Sequence, residues 1–496
     1  MNELTSVALN AARMGGADYA DIRSSRHRQQ GIAAREDHIQ SVSDAESFGF
    51  GVRVLLDGTW GFAASHRVTK DEIAEVTARA LAVARANRAA RRRPVELVPV
   101  DAYVDEWHTP VERDPLDVPL AEKTDLLLAV NEAALKVDGA KFANSSMLFQ
   151  HEQKHFASTE GSRIDQSITR TKPSFTVTAT DPDTGKFESR TVDVCPRGAG
   201  YEYVEQCDLV ARAPQMAEQA VEKLKAKSVE PGRYDIVLHP SNLWLTIHES
   251  LGHPTELDRV VGLEANFAGT SFLTLDKLAT LHYGSPIVNF KADRTIPGGC
   301  STCGYDDDGC KTTEWHLVKD GLLVDYQTIR EQVLWPEYRQ ARAAAGLPEV
   351  NHSYAACYAD SWRSFPFQRQ ANIHLEPGTK PLSLDELIAD TERGIYIVGN
   401  ASFSIDQQRR NFQFSGQVFY EIQGGKLVGM LNDVAYQAIT QEFWNACDAI
   451  CDERSWELGG TLYCGKGQPS QSAKMSHGAA PARFRQVNIL NTRRQV

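Results

Sequence analysis

The chain has 496 residues, more than one hydrophobic core usually supports, so two domains are expected. A net charge of −12, from 53 Lys+Arg against 65 Asp+Glu, gives no overall attraction to nucleic acid or to an anionic membrane. No run approaches the ~20 apolar residues of a membrane span. The opening residues lack a basic segment followed by an apolar core, and nine cysteines, an odd number, read as reduced thiols; a cytoplasmic protein without nucleic-acid or membrane partners is expected.

In chain order, residues 3–14 place apolar side chains at helical spacing and stop before Gly15-Gly16, after which residues 17–65 alternate and turn like a strand meander. Asp57-Gly58 is a hairpin turn signal. Thr69 and Glu72 form a capping-box pattern opening a helix with Ile73, Val76, Ala80 and Val83 on one face, which runs into Arg91-Arg92-Arg93, a solvated end. Residues 94–119 are an aperiodic connection to a helix near 120–136. A strand, turn and strand follow at 174–194, then a helix at 208–227. Pro231-Gly232 marks the expected domain boundary, giving an N-terminal α+β domain at 1–230 and a C-terminal domain at 231–496.

Beyond it, Tyr234 to Leu238 is a strand and Ser241 to about Gly252 a helix; hairpin signals dominate the remainder. The fold class is therefore α+β, with mixed, mostly antiparallel sheets and flanking helices.

The helix at 241–252 ends in "HESLGHPTELDR", residues 248–259. A hydrolytic zinc site needs three protein ligands, an open position for water and a carboxylate base. His248 and His253 could supply two ligands and Glu249 the base. A regular helix, at ~100° per residue, turns positions five apart ~140° away from each other. One ion is reachable only if the helix widens into a π turn, which Gly252 would ease, or ends because Pro254 pushes His253 out of helical angles. Otherwise the two histidines are ordinary helix-end residues.

Spacing leaves the third ligand open. Cys300, Cys303 and Cys310 read either as half a structural zinc site or as a Gly-rich turn with free thiols. Cys447 and Cys451 read as packing residues on a helix. Cys464, flanked by glycines and followed by Lys466, which could favour a thiolate, would complete a zinc-type set of two imidazoles and one sulfur. Asp306, Asp307 and Asp308, before Gly309, could be read as a cation site, but such a turn is more often a solvated loop, and that is the expectation.

Several stretches in the same order resemble the TldD/PmbA family, soluble bacterial and archaeal metallopeptidases first noted as modulators of DNA gyrase: "GADYADIR", "GFGVRVLLDGTWGFAAS", "LTIHESLGHPTELD", "GYDDDG", "VKDGLLVDY" and "YCGKGQP". The resemblance implies Zn2+ held by His248, His253 and Cys464, with Glu249 as general base. It also implies cleavage of short or unfolded peptides within a dimer, formed with a second copy or with a related PmbA-like subunit. Because the chain has the metal motif, it resembles the catalytic, TldD-like subunit rather than the noncatalytic partner. The wording of "GGCSTCGYDDDGC" and "PTELDRVV" departs from the family's usual pattern. A strand edge near 395–423 is a candidate for holding substrate by strand addition. Two rival functions stand beside the peptidase: a noncatalytic, metal-containing partner or scaffold, and a zinc amidase acting on a modified small molecule.

Overall fold

A computed structural model describes residues 2–493. Residues 19–191 supply a seven-stranded sheet built around three long strands, Tyr19–Arg35, His38–Leu56 and Ala140–Ser158, with Arg163–Thr180 beside them. Neighbours run antiparallel except Val104–His108, which pairs parallel with Arg163–Thr180. The hairpin joining His38–Leu56 to Thr59–Ser65 turns at Asp57 and Gly58, both left-handed at φ 48° and 67°.

Helices Asn2–Met14 and Lys70–Asn87 pack together over one end of this sheet, and Leu120–Leu135 and Leu209–Lys225 over the other. Thr69 caps the second helix by accepting from Glu72 N–H, but Glu72 does not reach back; its carboxylate pairs with Arg67 and Arg79 instead. Ile73, Val76, Ala80, Leu81 and Ala84 are buried, whereas Val83 is exposed. It sits at the rim of the apolar stripe, about 90° from its centre at 100° per residue. The arginine run is only partly solvated: Arg93 pairs with Glu337 at 2.6 Å and stacks over Trp335.

From residue 227 onward the chain forms a ten-stranded and a six-stranded sheet, both mostly antiparallel. Gly232–Leu238 lies inside the larger sheet and leads through His239 into helix Pro240–Ile247, which starts with Pro at its first position and is buried throughout. Strands Glu457–Lys466 and Gln471–Ala479 of the smaller sheet cover that helix. A Cβ on Gly459 would stand 2.2 Å from Trp244 Cβ, so glycine there lets the strand lie directly on the helix.

Strands Arg393–Val398 and Val418–Gln423 are internal, each hydrogen-bonded on both sides, and offer no free edge. Within 395–423 only Phe403–Ile405 stands at a sheet edge. Cys447 and Cys451 are buried, but Cys447 opens strand Cys447–Ile450; the preceding helix ends at Asn445.

The acidic turn is not solvated. Asp306, Asp307 and Asp308 are all buried where the N-terminal sheet meets the C-terminal sheets. Asp308 pairs with Arg53 at 2.7 Å, and Arg53 also holds Asp21. Asp307 meets Lys154 at 3.0 Å and Arg23 at 3.7 Å. Asp306 accepts backbone N–H bonds from Asp308, Cys310 and Cys357. Buried carboxylates persist because each has a cation or a set of N–H donors.

Candidate metal centre

Helix Pro240–Ile247 continues into a π turn over His248–Gly252, in which His253 N–H donates to His248 C=O at 3.1 Å, a five-residue step. His253 itself keeps right-handed helical angles, φ −65° and ψ −45°, so Pro254 does not end the helix before it. Widening, not termination, brings the rings to 4.6 Å between centroids. Gly252 contributes through space: a Cβ there would lie 2.1 Å from Gln370 Oε1, while its carbonyl accepts from Gln327 Nε2 at 2.8 Å.

Cys464 arrives on strand Glu457–Lys466, and its Sγ is 3.5 Å from His253 Nε2. Ligand atoms of His248, His253 and Cys464 all lie within 4.8 Å of one another, and all three residues are buried. A tetrahedral zinc with ordinary Zn–N and Zn–S distances separates its nitrogen and sulfur ligands by about 3.6 Å, so the donor set fits that ion in chemistry and spacing. Among the described residues this is the one such group; Cys300, Cys303 and Cys310 are buried thiols outside it, Cys303 accepting from Arg294 at 3.2 Å.

The imidazoles are held from behind. His477 Nδ1 lies 3.2 Å from the Ile373 carbonyl, which can only accept, so that nitrogen carries the proton. Its Nε2 then accepts from His248 Nδ1 at 2.8 Å, leaving His248 Nε2 with a free lone pair. His253 Nδ1 donates to Glu256 Oε2 at 2.8 Å, which frees its Nε2 likewise. Burial, with His253 and His477 beside it, holds His248 well below the usual histidine range. Burial does the same for His253, although Glu256 opposes it. Both rings are therefore neutral at pH 7, as ligands must be.

Glu256 is itself fixed by Lys466 Nζ at 3.0 Å; burial works against its charge, but Lys466, His253 and Arg259 together hold it well below the usual carboxylate range. Lys466 also donates to Asp258 and to Gln368 C=O. Its charge is thus committed to Glu256 and Asp258. Burial raises the Cys464 thiol, with Arg369 as the chief opposing charge.

Glu249 sits on the π turn beside His248, and its Oε2 accepts from Arg409 Nε at 3.1 Å. Burial pushes its carboxyl up from the usual range and Arg409 pulls it back. Arg409 has a left-handed backbone at φ 63° in the turn between Phe403–Ile405 and Asn411–Ser415.

Comparison with known proteins supplies the lineage. The PmbA/TldA metallopeptidase C-terminal domain matches residues 231–490, the family's domain 1 matches 20–84 and its central domain matches 113–227. The chain belongs to the PmbA/TldD metallopeptidase family. A metalloprotease of Methanothermobacter thermautotrophicus is 28% identical over 475 residues, 96% of each chain. A zinc metalloprotease TldD homolog of Saccharolobus solfataricus is 21% identical over 486 residues, covering 96% of this chain and 97% of the relative. Crystal structures share the fold: a Thermotoga maritima protein described as a modulator of a DNA gyrase superposes with a TM-score of 0.76 at 16% identity, covering 99% of this chain and 100% of that one. TldE from Thermococcus kodakarensis gives 0.68 at 15% identity, covering 97% and 99% respectively. No helix among the described residues of this family member is long and apolar enough to cross a membrane.

Sequence reasoning missed His477, Glu256 and Arg409. Glu256 carried a readable signal, since it lies three residues after His253, one helical turn on. His477 and Arg409 lie 229 and 160 residues from His248 and Glu249, and no spacing rule reaches them.

Proposed function

We propose that the protein is a zinc-dependent peptidase that cleaves short or unfolded peptides. The reading rests on one observation: two buried imidazoles and a buried sulfur converge within 4.8 Å, with a buried carboxylate on the same turn. Zinc bound there would supply Lewis acidity toward water and toward the peptide carbonyl. Glu249 accepts the proton lost by the attacking water and returns it to the departing amine, its burial raising its affinity for that proton above that of an exposed carboxylate. Arg409, bonded to its Oε2, keeps the carboxylate aimed and ionised.

Support for an extended, apolar-tolerant substrate comes from the rim beside this carboxylate. The segments around 262–272 and 403–408 abut through Phe272 N–H to Gln408 C=O, and they expose Leu263, Phe267 and Phe403. The proposal includes a dimer, either with a second copy or with a related PmbA-like subunit; native mass spectrometry of the purified protein distinguishes the two.

Glu249→Gln is the decisive variant. It is expected to keep zinc and lose peptide turnover, and full turnover with zinc bound would rule out the mechanism. A noncatalytic scaffold would show no turnover in the parent protein, and a small-molecule amidase would leave a peptide library intact.

A further inference from the structure

We propose that the cavity beside the Cys464 strand is a subsite for a carboxylate of the substrate, with Lys474 as its cation. This deepens the peptidase reading above and depends on it for the identity of the ligand.

The cavity has a volume of about 380 Å3 and lies between the N-terminal sheet, which contributes His27 and Glu152, and the C-terminal strands, which contribute Tyr463, Ser472 and Lys474. Leu462 and Tyr463, the two residues before Cys464, form part of its wall. Gly465, just after Cys464, pairs with Ser472 on the Lys474 strand. The cavity therefore opens alongside the strand that carries the candidate sulfur ligand.

Lys474 is the cation in this wall that is bonded to neutral acceptors alone. Its Nζ donates to Tyr358 Oη at 2.9 Å and to Ser472 C=O at 3.4 Å, both neutral acceptors. Of the acids that act on it, Glu152 is shared between two other cations, and Asp360, in the same wall, is held by neutral donors alone. Glu152 lies 3.1 Å from Lys154 and 3.2 Å from Arg170. Asp360 accepts from Ser364 Oγ at 2.6 Å and from Ser472 N–H at 2.9 Å. Removing an ammonium from water without an anion is costly, and structures rarely retain such a group unless something pairs with it. Arg363, exposed on the same cavity, adds a second cation. The ligand class is a small anion: Lys474 and Ser472 project from the sheet face opposite Cys464, so a chain that joins this cavity to the candidate metal centre passes the edge strand Glu457–Lys466. A peptide offers that group as its terminal carboxylate or as an Asp or Glu side chain.

The test uses matched fluorogenic peptides on the zinc-loaded protein, one pair differing in free C-terminus against C-terminal amide and one in Glu against Gln. The parent is expected to favour the carboxylate member of one pair about tenfold in kcat/KM, as a charge-assisted hydrogen bond would give. Preference for the free terminus identifies the terminal carboxylate, and preference for Glu identifies a side chain. Lys474→Met should bring that ratio close to one and Lys474→Arg should restore part of it. A ratio is insensitive to the fraction of folded protein. Equal kcat/KM within both pairs in the parent, or an undiminished ratio in Lys474→Met, overturns the subsite while the peptidase reading stands. If no peptide is cleaved the peptidase reading fails, and anisotropy of the same labelled pairs on the zinc-loaded protein decides the subsite by the same ratio.

Discussion

His248 Nδ1 and His477 Nε2 stand 2.8 Å apart, and because His477 spends its own proton on the Ile373 carbonyl, the pair has one allowed tautomer. His477→Phe removes the acceptor and leaves His248 free to rotate or to put its proton on the ligand nitrogen. Zinc affinity is expected to fall by about 10- to 100-fold. Competition with a fluorescent chelator measures it, and an unchanged dissociation constant would mean that packing alone orients His248.

Cys464→Ala should abolish stoichiometric zinc at micromolar protein, since two imidazoles remain for an ion that takes three protein ligands in hydrolytic sites. Metal analysis after gel filtration reads this directly. Full occupancy would assign the third ligand to another residue.

Gly252→Ala drives a methyl group into the Gln370 amide, which is buried and has no hydrogen-bond partner of its own. Overpacking of this kind costs about 1–3 kcal/mol. Gln370→Ala in the same chain should recover most of the loss, because the clash is with the end of that side chain. Urea denaturation of the two single variants and the double variant closes the cycle, and strict additivity would place the strain in the π turn itself.

Arg53→Met strips the shared cation from Asp21 and Asp308 at the contact between the N-terminal and C-terminal sheets. Leaving buried carboxylates unpaired is expected to cost about 3–5 kcal/mol. Limited proteolysis near residues 94–119 should accelerate in parallel, and a melting temperature within a degree of the parent would contradict this account.

Burial lowers Lys474 from 10.5 to about 8, with Glu152 opposing. Below the folded value the cost of burying the charge is carried in full. Between the two values the unfolded chain keeps a proton that the folded protein has released, so stability rises with pH across that window. Lys474→Met should therefore melt above the parent at about pH 7 and lose that advantage by about pH 10. Calorimetry at both values checks the sign, and a growing advantage at high pH would show that the ammonium is not desolvated.

How far the sequence could be read depended on how local each feature was. The five-residue offset between His248 and His253, with Gly252 inside it, demanded an irregular helix, and the structure has a π turn there. The reason for Gly252 was illegible, because Gln370 meets it from 118 residues away. Pro254 misled, since a preference against helical angles in the preceding residue is weaker than the packing that holds His253 at 4% exposure. The three aspartates looked solvated because charge runs usually are; their partners Arg53 and Lys154 lie on strands 255 and 153 residues earlier. Val83 failed more simply, as periodicity marks a face without giving its width.

Lys466 has a consequence for the order of assembly. It lies two residues after Cys464 and is bonded to the carboxylate that aims His253, so the sulfur ligand and one imidazole are locked by a single ion pair spanning 210 residues. During synthesis the helix bearing His248 and His253 emerges long before that pair can form. Until strands Glu457–Lys466 and Gln471–Ala479 have docked, the two histidines lack the candidate third ligand, His248 lacks His477 behind it, and the carboxylate behind His253 lacks Lys466. Any metal then present meets an incomplete set of candidate ligands, and the proposed hydrolytic site is complete only after the smaller sheet has closed over the helix.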